Sequence, residues 1–363
     1  MTTPIDNLVR PHLKGLQVYE PIEPPEVLAQ RLGIPVERIV KLNGNENPYG
    51  PSPRVQAALR DYQSYHIYPD PFQRAIREAL AAYTGVDPSG IVAGSGCDEL
   101  IDLLLRLTLD PGDEVIDCVP TFGMYAFGTR VCGGRYVPVP RDQAFQVDVK
   151  AVKATITPRT KVIFVCSPNN PTGNLPPEAA VRELLGLGPL VVVDETYHEF
   201  SKHTFALWIA RHENLVVLRT FSKWAGLASL RAGYGLMSPA LAAYLMAVKP
   251  PYNVTSASQV ALLTSLEDKA LLLSRVDAIV RERERLFARL EKLPGMEPVP
   301  SAGNFLLCRV TSRPAAQVHQ ELVQRGIFIR YFDSGRLKEY LRITVGRPDQ
   351  SDAVVSALQE ILG

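Results

Sequence analysis

The apolar positions of this chain change rhythm along its length. Between residues 113 and 220 they gather into unbroken, β-branched runs: DEVIDCV (113–119), KVIFVCS (161–167), LVVVDE (190–195) and NLVVLRT (214–220). Runs without polar alternation suit strands buried on both faces. Before them, helical spacing predicts helices over Pro53 to Tyr62, Pro71 to Thr84 and Asp98 to Leu109. Strands alternating with helices imply an α/β unit with a mostly parallel sheet flanked by helices. From Ser258 to Leu293 the pattern is strongly helical, and the sign-alternating run Arg281-Glu282-Arg283-Glu284-Arg285 reads as a solvated face. After Pro294-Gly295 come short strand candidates (NFLLCRV, IFIRYF, YLRITV) and helices, the pattern of a smaller α+β domain.

The first forty or so residues are Pro-rich and mixed, and read as an arm followed by a short helix. A loop of turn formers follows, Asn43 to Pro51. The expected division is an N-terminal arm over 1–40 packing with the small domain, a large domain over 41–255, and a small C-terminal domain over 256–363. No repeat or low-complexity segment is evident.

Bulk properties narrow the class. The chain has 363 residues, 46% of them hydrophobic, enough for a large core. Lys and Arg number 39 and Asp and Glu 38, a net charge of +1. Such a balance gives no global field for nucleic acid or an anionic membrane. The five cysteines are odd in number, widely spaced and without a CxxC pair, which argues against a disulfide framework or a zinc site and fits a reducing cytoplasm. The N-terminus lacks an apolar signal core, and no run is long enough to span a bilayer.

Candidate chemistry sits in loops after the predicted strands, where open parallel sheets bind ligands. Asp194 ends one apolar run, and Tyr197 follows three residues on. Lys223 follows another run, in an apolar setting that would desolvate its amine and lower its pKa. Ser222 and Arg231 are a hydroxyl and a guanidinium suited to a phosphate. Gly94-Ser95-Gly96 opens a helix whose N-terminal amides suit an anion, without the third glycine of a dinucleotide fingerprint. Asn170 lies in a turn of Asn and Pro, and Tyr125 is an aromatic that could stack on a ring. Each residue alone also reads as ordinary structure: a surface lysine, a helix cap, a rigid turn, a core tyrosine. Together they supply what pyridoxal phosphate (PLP) demands: an amine for its aldehyde, a carboxylate for its ring nitrogen, donors to its phenolate oxygen, a stacking partner and an anion site.

The ordered set GSGCDEL, PTFGMY, SPNNPTG, VVVDETYHEF and TFSKWAGLASLRAGY resembles the fold-type I, aspartate aminotransferase-like PLP enzymes along nearly the whole chain. More narrowly, LNGNENPYGPSP, YPDP, PYNV, NFLL and LRITVGRP resemble the histidinol-phosphate aminotransferase branch. The resemblance implies roles. Lys223 would be the Schiff-base lysine and proton shuttle, and Asp194 the partner of the pyridinium. Tyr197 and Asn170 would bond the phenolate oxygen, and Tyr125 would stack on the ring. Backbone amides of Gly96, Cys97 and Asp98, with Ser222 and Arg231, would hold the phosphate. Tyr68 would reach that phosphate from the other subunit of a homodimer. Arg342 would fork onto a substrate carboxylate, Arg330 would lie near the substrate's side-chain anion, and Tyr19 and Asn45 would line the entrance.

The implied reaction is transamination of L-histidinol phosphate with 2-oxoglutarate. An aromatic amino-acid aminotransferase or an O-phosphothreonine decarboxylase would carry nearly the same motifs, and discrimination would lie around Tyr19, Asn253 and Arg330. A PLP-binding regulator is disfavoured, because too few residues precede the Asn-rich loop for a DNA-binding module. Two positions depart from the branch pattern: Ser229 stands where it has glycine, and Cys97 where a small residue is usual.

Overall fold

The computed structural model describes residues 4–16, 21–333 and 335–363. In chain order its strands are β1 (Val40–Lys41), β2 (Ile91–Ser95), β3 (Glu114–Val119), β4 (Arg135–Pro140), β5 (Thr160–Cys166), β6 (Leu190–Asp194), β7 (Leu215–Thr220), β8 (Ala232–Leu236), β9 (Met296–Val299), β10 (Phe305–Val310), β11 (Ile327–Phe328), β12 (Arg330–Tyr331) and β13 (Tyr340–Thr344). Seven of them form the large sheet, in the order β2-β8-β7-β6-β5-β3-β4. All its pairings are parallel except those of β8, which runs antiparallel to both β2 and β7.

The unbroken apolar runs are explained by the two cores they serve. Ile163, Val165, Val191, Val193, Leu215 and Val217 face one core. Val162, Phe164, Cys166, Val192, Val216 and Leu218 face the other. Successive strand residues point to opposite faces, so a sheet covered by helices on both sides needs apolar residues at every position. Helix Gly96–Thr108 covers one face with Leu100, Leu104 and Leu105. Helices Pro53–Asp61, Arg74–Thr84 and Glu178–Leu185 cover the other through Val55, Ile76, Leu80, Val181 and Leu184.

The smaller sheet has the order β12-β13-β10-β9, antiparallel throughout. Its core is filled by Val318 and Leu322 of helix Ala315–Gln324 and by Val354 and Leu358 of helix Pro348–Leu362.

Three expectations need correction. The boundary at 255/256 falls too early. Helix Ser256–Glu267 buries Ala261 and Leu262 in a core of the large sheet. Helix Lys269–Leu290 then spans both bodies, with Leu272, Val276 and Ile279 in the large core and Leu286 and Leu290 in the small one. The arm is also divided. Val40–Lys41 pairs with β11 and Leu42 enters the small core. Further upstream, however, Arg10 donates to the Val131 carbonyl at 2.8 Å, at the end of helix Met124–Val131 on the large body. Finally, IFIRYF is not one strand. Ile327–Phe328 pairs with β1 and Arg330–Tyr331 with β13, so the segment changes partner at Ile329.

Candidate active site

A cavity of about 210 Å³ opens where the large sheet meets the small body. Its floor is the carboxyl edge of the parallel strands, the usual ligand position in such sheets. Asp194 closes β6, Asn170 follows β5, Phe122 follows β3, and Ser222 and Lys223 follow β7. The reversed direction of β8 brings Arg231, just before it, to the same edge. From the other side come Arg342 of β13, Gly44 and Asn45 of the turn-rich loop, and Ile22.

Lys223 is half-buried, and its Nζ donates to the Gly44 carbonyl at 2.9 Å. Enclosure by the cavity walls, reinforced by the Arg342 cation, lowers its pKa from 10.5 to about 8. Asp194 is buried (2% exposed). Burial pushes its pKa up, and hydrogen bonds oppose the rise: the Tyr125 hydroxyl donates to Oδ2 at 2.6 Å, and the Thr196 amide to Oδ1 at 3.0 Å. The next residue, Glu195, makes a buried ion pair with Arg219 of β7 at 2.9 Å. That pair cross-braces the two strand ends that carry Asp194 and Lys223. Removing one partner of such a pair costs about 3–5 kcal/mol.

Helix Gly96–Thr108 starts at the cavity, and Cys97 and Asp98 line it. Gly96 has φ +80, a left-handed conformation, and a Cβ there would lie 2.5 Å from Arg231 Nη2. A Cβ at Gly233 in β8 would lie 2.7 Å from the Gly96 carbonyl carbon. Both positions therefore need glycine so that the helix terminus can sit against Arg231 and β8. Arg231 Nη2 also donates to Asp98 at 3.0 Å. The Ser222 hydroxyl accepts from Thr220 Oγ1 at 2.9 Å. The helix start, a hydroxyl and a guanidinium thus line the same cavity, a set of groups whose chemistry suits an anion.

The turn SPNNPTG is held from beneath by Asn169, which is fully buried. Asn169 Oδ1 accepts from Thr121 at 2.8 Å and from Arg141 at 3.0 Å, and Nδ2 donates to Thr172 at 2.7 Å. Asn170 is thereby turned to the cavity, where its Oδ1 accepts from Arg342 Nη1. The other Arg342 nitrogen, Nη2, donates to the Asn43 carbonyl at 2.7 Å. Tyr197 is buried beside them and accepts from Asn45 Nδ2 at 2.9 Å.

Three expected residues, Tyr125, Arg330 and Asn253, are not on the cavity lining. Tyr125 does not line the cavity. It is 0% exposed and stacks flat on Phe164, with ring centroids 4.4 Å apart, so its ring has no free face. Phe122, three residues earlier, is the aromatic of that motif on the cavity wall. Tyr68 is 77% exposed and stacks on Tyr252, on the outer surface. Arg330 sits directly across from Arg342 in the β12–β13 register but is not on the cavity lining. Tyr19 lies outside the described residues. Asn253, expected near the substrate, instead bonds Gln73, the Ala93 carbonyl and Glu99. Thr196, Thr220 and Ile22 line the cavity and were not anticipated. Thr196 and Thr220 lie inside quoted motifs, but Ile22 carries no signal in the arm.

The profile of the aminotransferase class I and II family matches residues 37–358. The chain belongs to that family. It is 49% identical to the histidinol-phosphate aminotransferase of Roseiflexus castenholzii over 99% of this chain and 100% of that protein. It is 45% identical to the chloroplastic histidinol-phosphate aminotransferase of Nicotiana tabacum, over 98% of this chain and 86% of the tobacco protein. Among solved structures, it resembles the histidinol-phosphate aminotransferase from Sinorhizobium meliloti in complex with pyridoxal-5'-phosphate. That likeness has a TM-score of 0.87 at 26% identity and covers 98% of this chain and 97% of the other. The Asp194, Lys223 and Arg231 arrangement therefore belongs to an aminotransferase fold, and the donor set fits the phosphate, ring nitrogen and aldehyde of that cofactor.

Proposed function

We propose that this chain transaminates L-histidinol phosphate with 2-oxoglutarate, using PLP held at Lys223 and producing imidazole-acetol phosphate and glutamate. The observation that carries the reading is the convergence of Lys223, Asp194, Arg231 and the Gly96 helix terminus in one cavity capped by Arg342.

When bound, PLP supplies an aldehyde that an amine can join and a ring that withdraws electrons from the attached carbon. The chain's own residues do the rest. The amides of Gly96, Cys97 and Asp98, with Ser222 and Arg231, hold the phosphate. Asp194 stays ionised against the cationic ring nitrogen, supported by Tyr125 and Thr196. Tyr197 and Asn170 face the phenolate oxygen, and Phe122 rather than Tyr125 takes the ring's face. Lys223, with its lowered pKa, keeps a useful fraction of free amine near neutral pH. Its Nζ would take the proton from the substrate Cα and hold it for return. Arg342 forks onto the carboxylates of glutamate and 2-oxoglutarate. Arg330, adjacent in register, adds a second cation for the phosphate of histidinol phosphate.

A second copy of the chain fits the face around Tyr68. Tyr65, Ile67, Tyr68, Phe72 and Tyr252 are all at least 45% exposed there. Such an apolar cluster suits an interface, and a homodimer would carry Tyr68 to the neighbouring phosphate site. Among the described residues no helix is long and apolar enough to cross a membrane. The free cysteines suit a reducing compartment, and we place the chain in the cytoplasm.

A half-reaction assay tests the substrate. The PLP form is mixed with histidinol phosphate, phenylalanine or O-phosphothreonine, and conversion to the pyridoxamine form is followed by absorbance. Conversion by histidinol phosphate at the highest kcat/KM is expected. Brisk conversion by phenylalanine with none by histidinol phosphate would overturn the assignment.

A further inference from the structure

Tyr197 accepts a hydrogen bond from Asn45, and the polarity of that bond is set three groups away. The Asn45 backbone N–H donates to Thr344 Oγ1 at 3.0 Å. The Thr344 hydroxyl, having accepted there, donates its own hydrogen to Asn45 Oδ1, also at 3.0 Å. An amide oxygen held in that way leaves the Asn45 NH₂ facing Tyr197, and Nδ2 donates to the Tyr197 oxygen at 2.9 Å. A phenol that accepts from one side has its single hydrogen free for the other side, which is the cavity. Asn45 is only 1% exposed and sits at φ 51, with its carbonyl accepting from Asn304 Nδ2 at 3.0 Å. The surrounding bonds hold this conformation in place.

We infer that Asn45 is a positioning residue: the Thr344–Asn45 pair aims the Tyr197 hydroxyl hydrogen at the cofactor's phenolate oxygen. This rests on the reading of the cavity as a PLP site. It moves Asn45 from the entrance, where sequence resemblance put it, to a role behind Tyr197. It also links the small sheet to the cofactor, because Thr344 ends β13 while Tyr197 follows β6.

The readout is the pH midpoint of the visible absorption band of the PLP-loaded protein, which titrates as the lysine-bound cofactor loses its proton. A donor to the phenolate oxygen favours the deprotonated form, so losing it raises the midpoint. The charged groups around Lys223 are Arg342, Glu46, Arg231 and Lys41, and those around Tyr197 are Arg342, Asp194 and the Cys166 thiol. None is altered in the variants. Tyr197→Phe gives the full rise. Asn45→Gly, compatible with the left-handed backbone, and the near-isosteric Thr344→Val each raise the midpoint by about 0.5–1 pH unit, the scale of one hydrogen bond. The combination Asn45→Gly with Tyr197→Phe goes no higher than Tyr197→Phe alone, because both act through one hydroxyl.

Unchanged midpoints in both Asn45→Gly and Thr344→Val, or full additivity with Tyr197→Phe, would overturn the relay. Should Asn45→Gly fail to fold, Thr344→Val with its own Tyr197→Phe double variant decides in the same way. Failure of the underlying reading is separate: wild-type protein would then show no visible band that Lys223→Ala removes.

Discussion

The Tyr125 hydroxyl donates to Asp194 Oδ2 at 2.6 Å from a position with no exposure to the cavity. It is therefore a support for the carboxylate and not a platform for a ring. Asp194 is driven toward its neutral form by burial, and a donor that bonds the ionised form more strongly works against that drift. Tyr125→Phe keeps the stacking on Phe164 and removes the donor. Cofactor affinity should fall about tenfold, matching about 1.5 kcal/mol for a bond to a charged group. Equilibrium titration of the apoprotein with PLP measures it, and unchanged affinity would remove Tyr125 from this role.

Gly96 meets two conditions at once, a left-handed φ and a Cβ position already filled by the Arg231 guanidinium. Gly96→Ala must displace Arg231 and strain the helix start. Loss of phosphate binding should raise the dissociation constant of PLP a hundredfold or so, equivalent to about 3 kcal/mol, and so exceed the roughly 1–2 kcal/mol that a left-handed alanine costs the apoprotein's own stability. Retention of wild-type cofactor affinity would contradict the proposed phosphate cradle.

Lys223 yields a pH prediction with a definite sign. Its pKa is lowered from 10.5 to about 8, by burial first and by Arg342 second. The neutral amine attacks the cofactor's aldehyde, so the attachment rate should rise with pH and level off above about 8. At pH 7 roughly one chain in ten has the free amine, against roughly one in three thousand for an unperturbed lysine. Arg342→Gln removes a repelling cation, so the midpoint should move upward. Stopped-flow absorbance across pH 6–10 checks both, and a wild-type midpoint near 10 would count against the enclosure argument.

If Tyr68 serves the neighbouring site, two defective chains should complement each other. Lys223→Ala is inactive everywhere, and Tyr68→Ala is weakened at the phosphate. A mixed dimer has one site with both Lys223 and the other chain's Tyr68 intact. Refolding the two variants together should recover activity above the sum of the separate preparations. Absence of any recovery, with mixed dimers shown by mass spectrometry, would place Tyr68 outside the site.

Much of the sheet is legible in the chain. The runs at 161–167, 190–195 and 214–220 became β5, β6 and β7 within a residue or so, because a strand covered on both faces leaves an unbroken apolar imprint. Strand β8 left none. Its sequence, AGYGL, has two glycines and low strand propensity, and it is a strand because β2 and β7 pair with it on either side, with Gly233 leaving room for the start of helix Gly96–Thr108. The boundary between the bodies was also illegible, because one continuous helix, Lys269–Leu290, has the same amphipathic rhythm whichever core it enters.

For the site, local sequence determined residue types and their order: a lysine after one buried strand, an aspartate at the end of another, glycines before a helix. Those facts follow from short-range pattern and belong to the chain alone. Tertiary structure decided which atoms meet. It chose Phe122 over Tyr125 for the cavity wall, since only packing against Phe164 consumes the Tyr125 ring. It set Arg342 on Asn170, residues 172 apart in sequence. It also turned Asn45 from an entrance residue into the partner of Tyr197, because a hydrogen bond's direction depends on every neighbour that already holds or supplies a proton, and those neighbours come from distant parts of the chain.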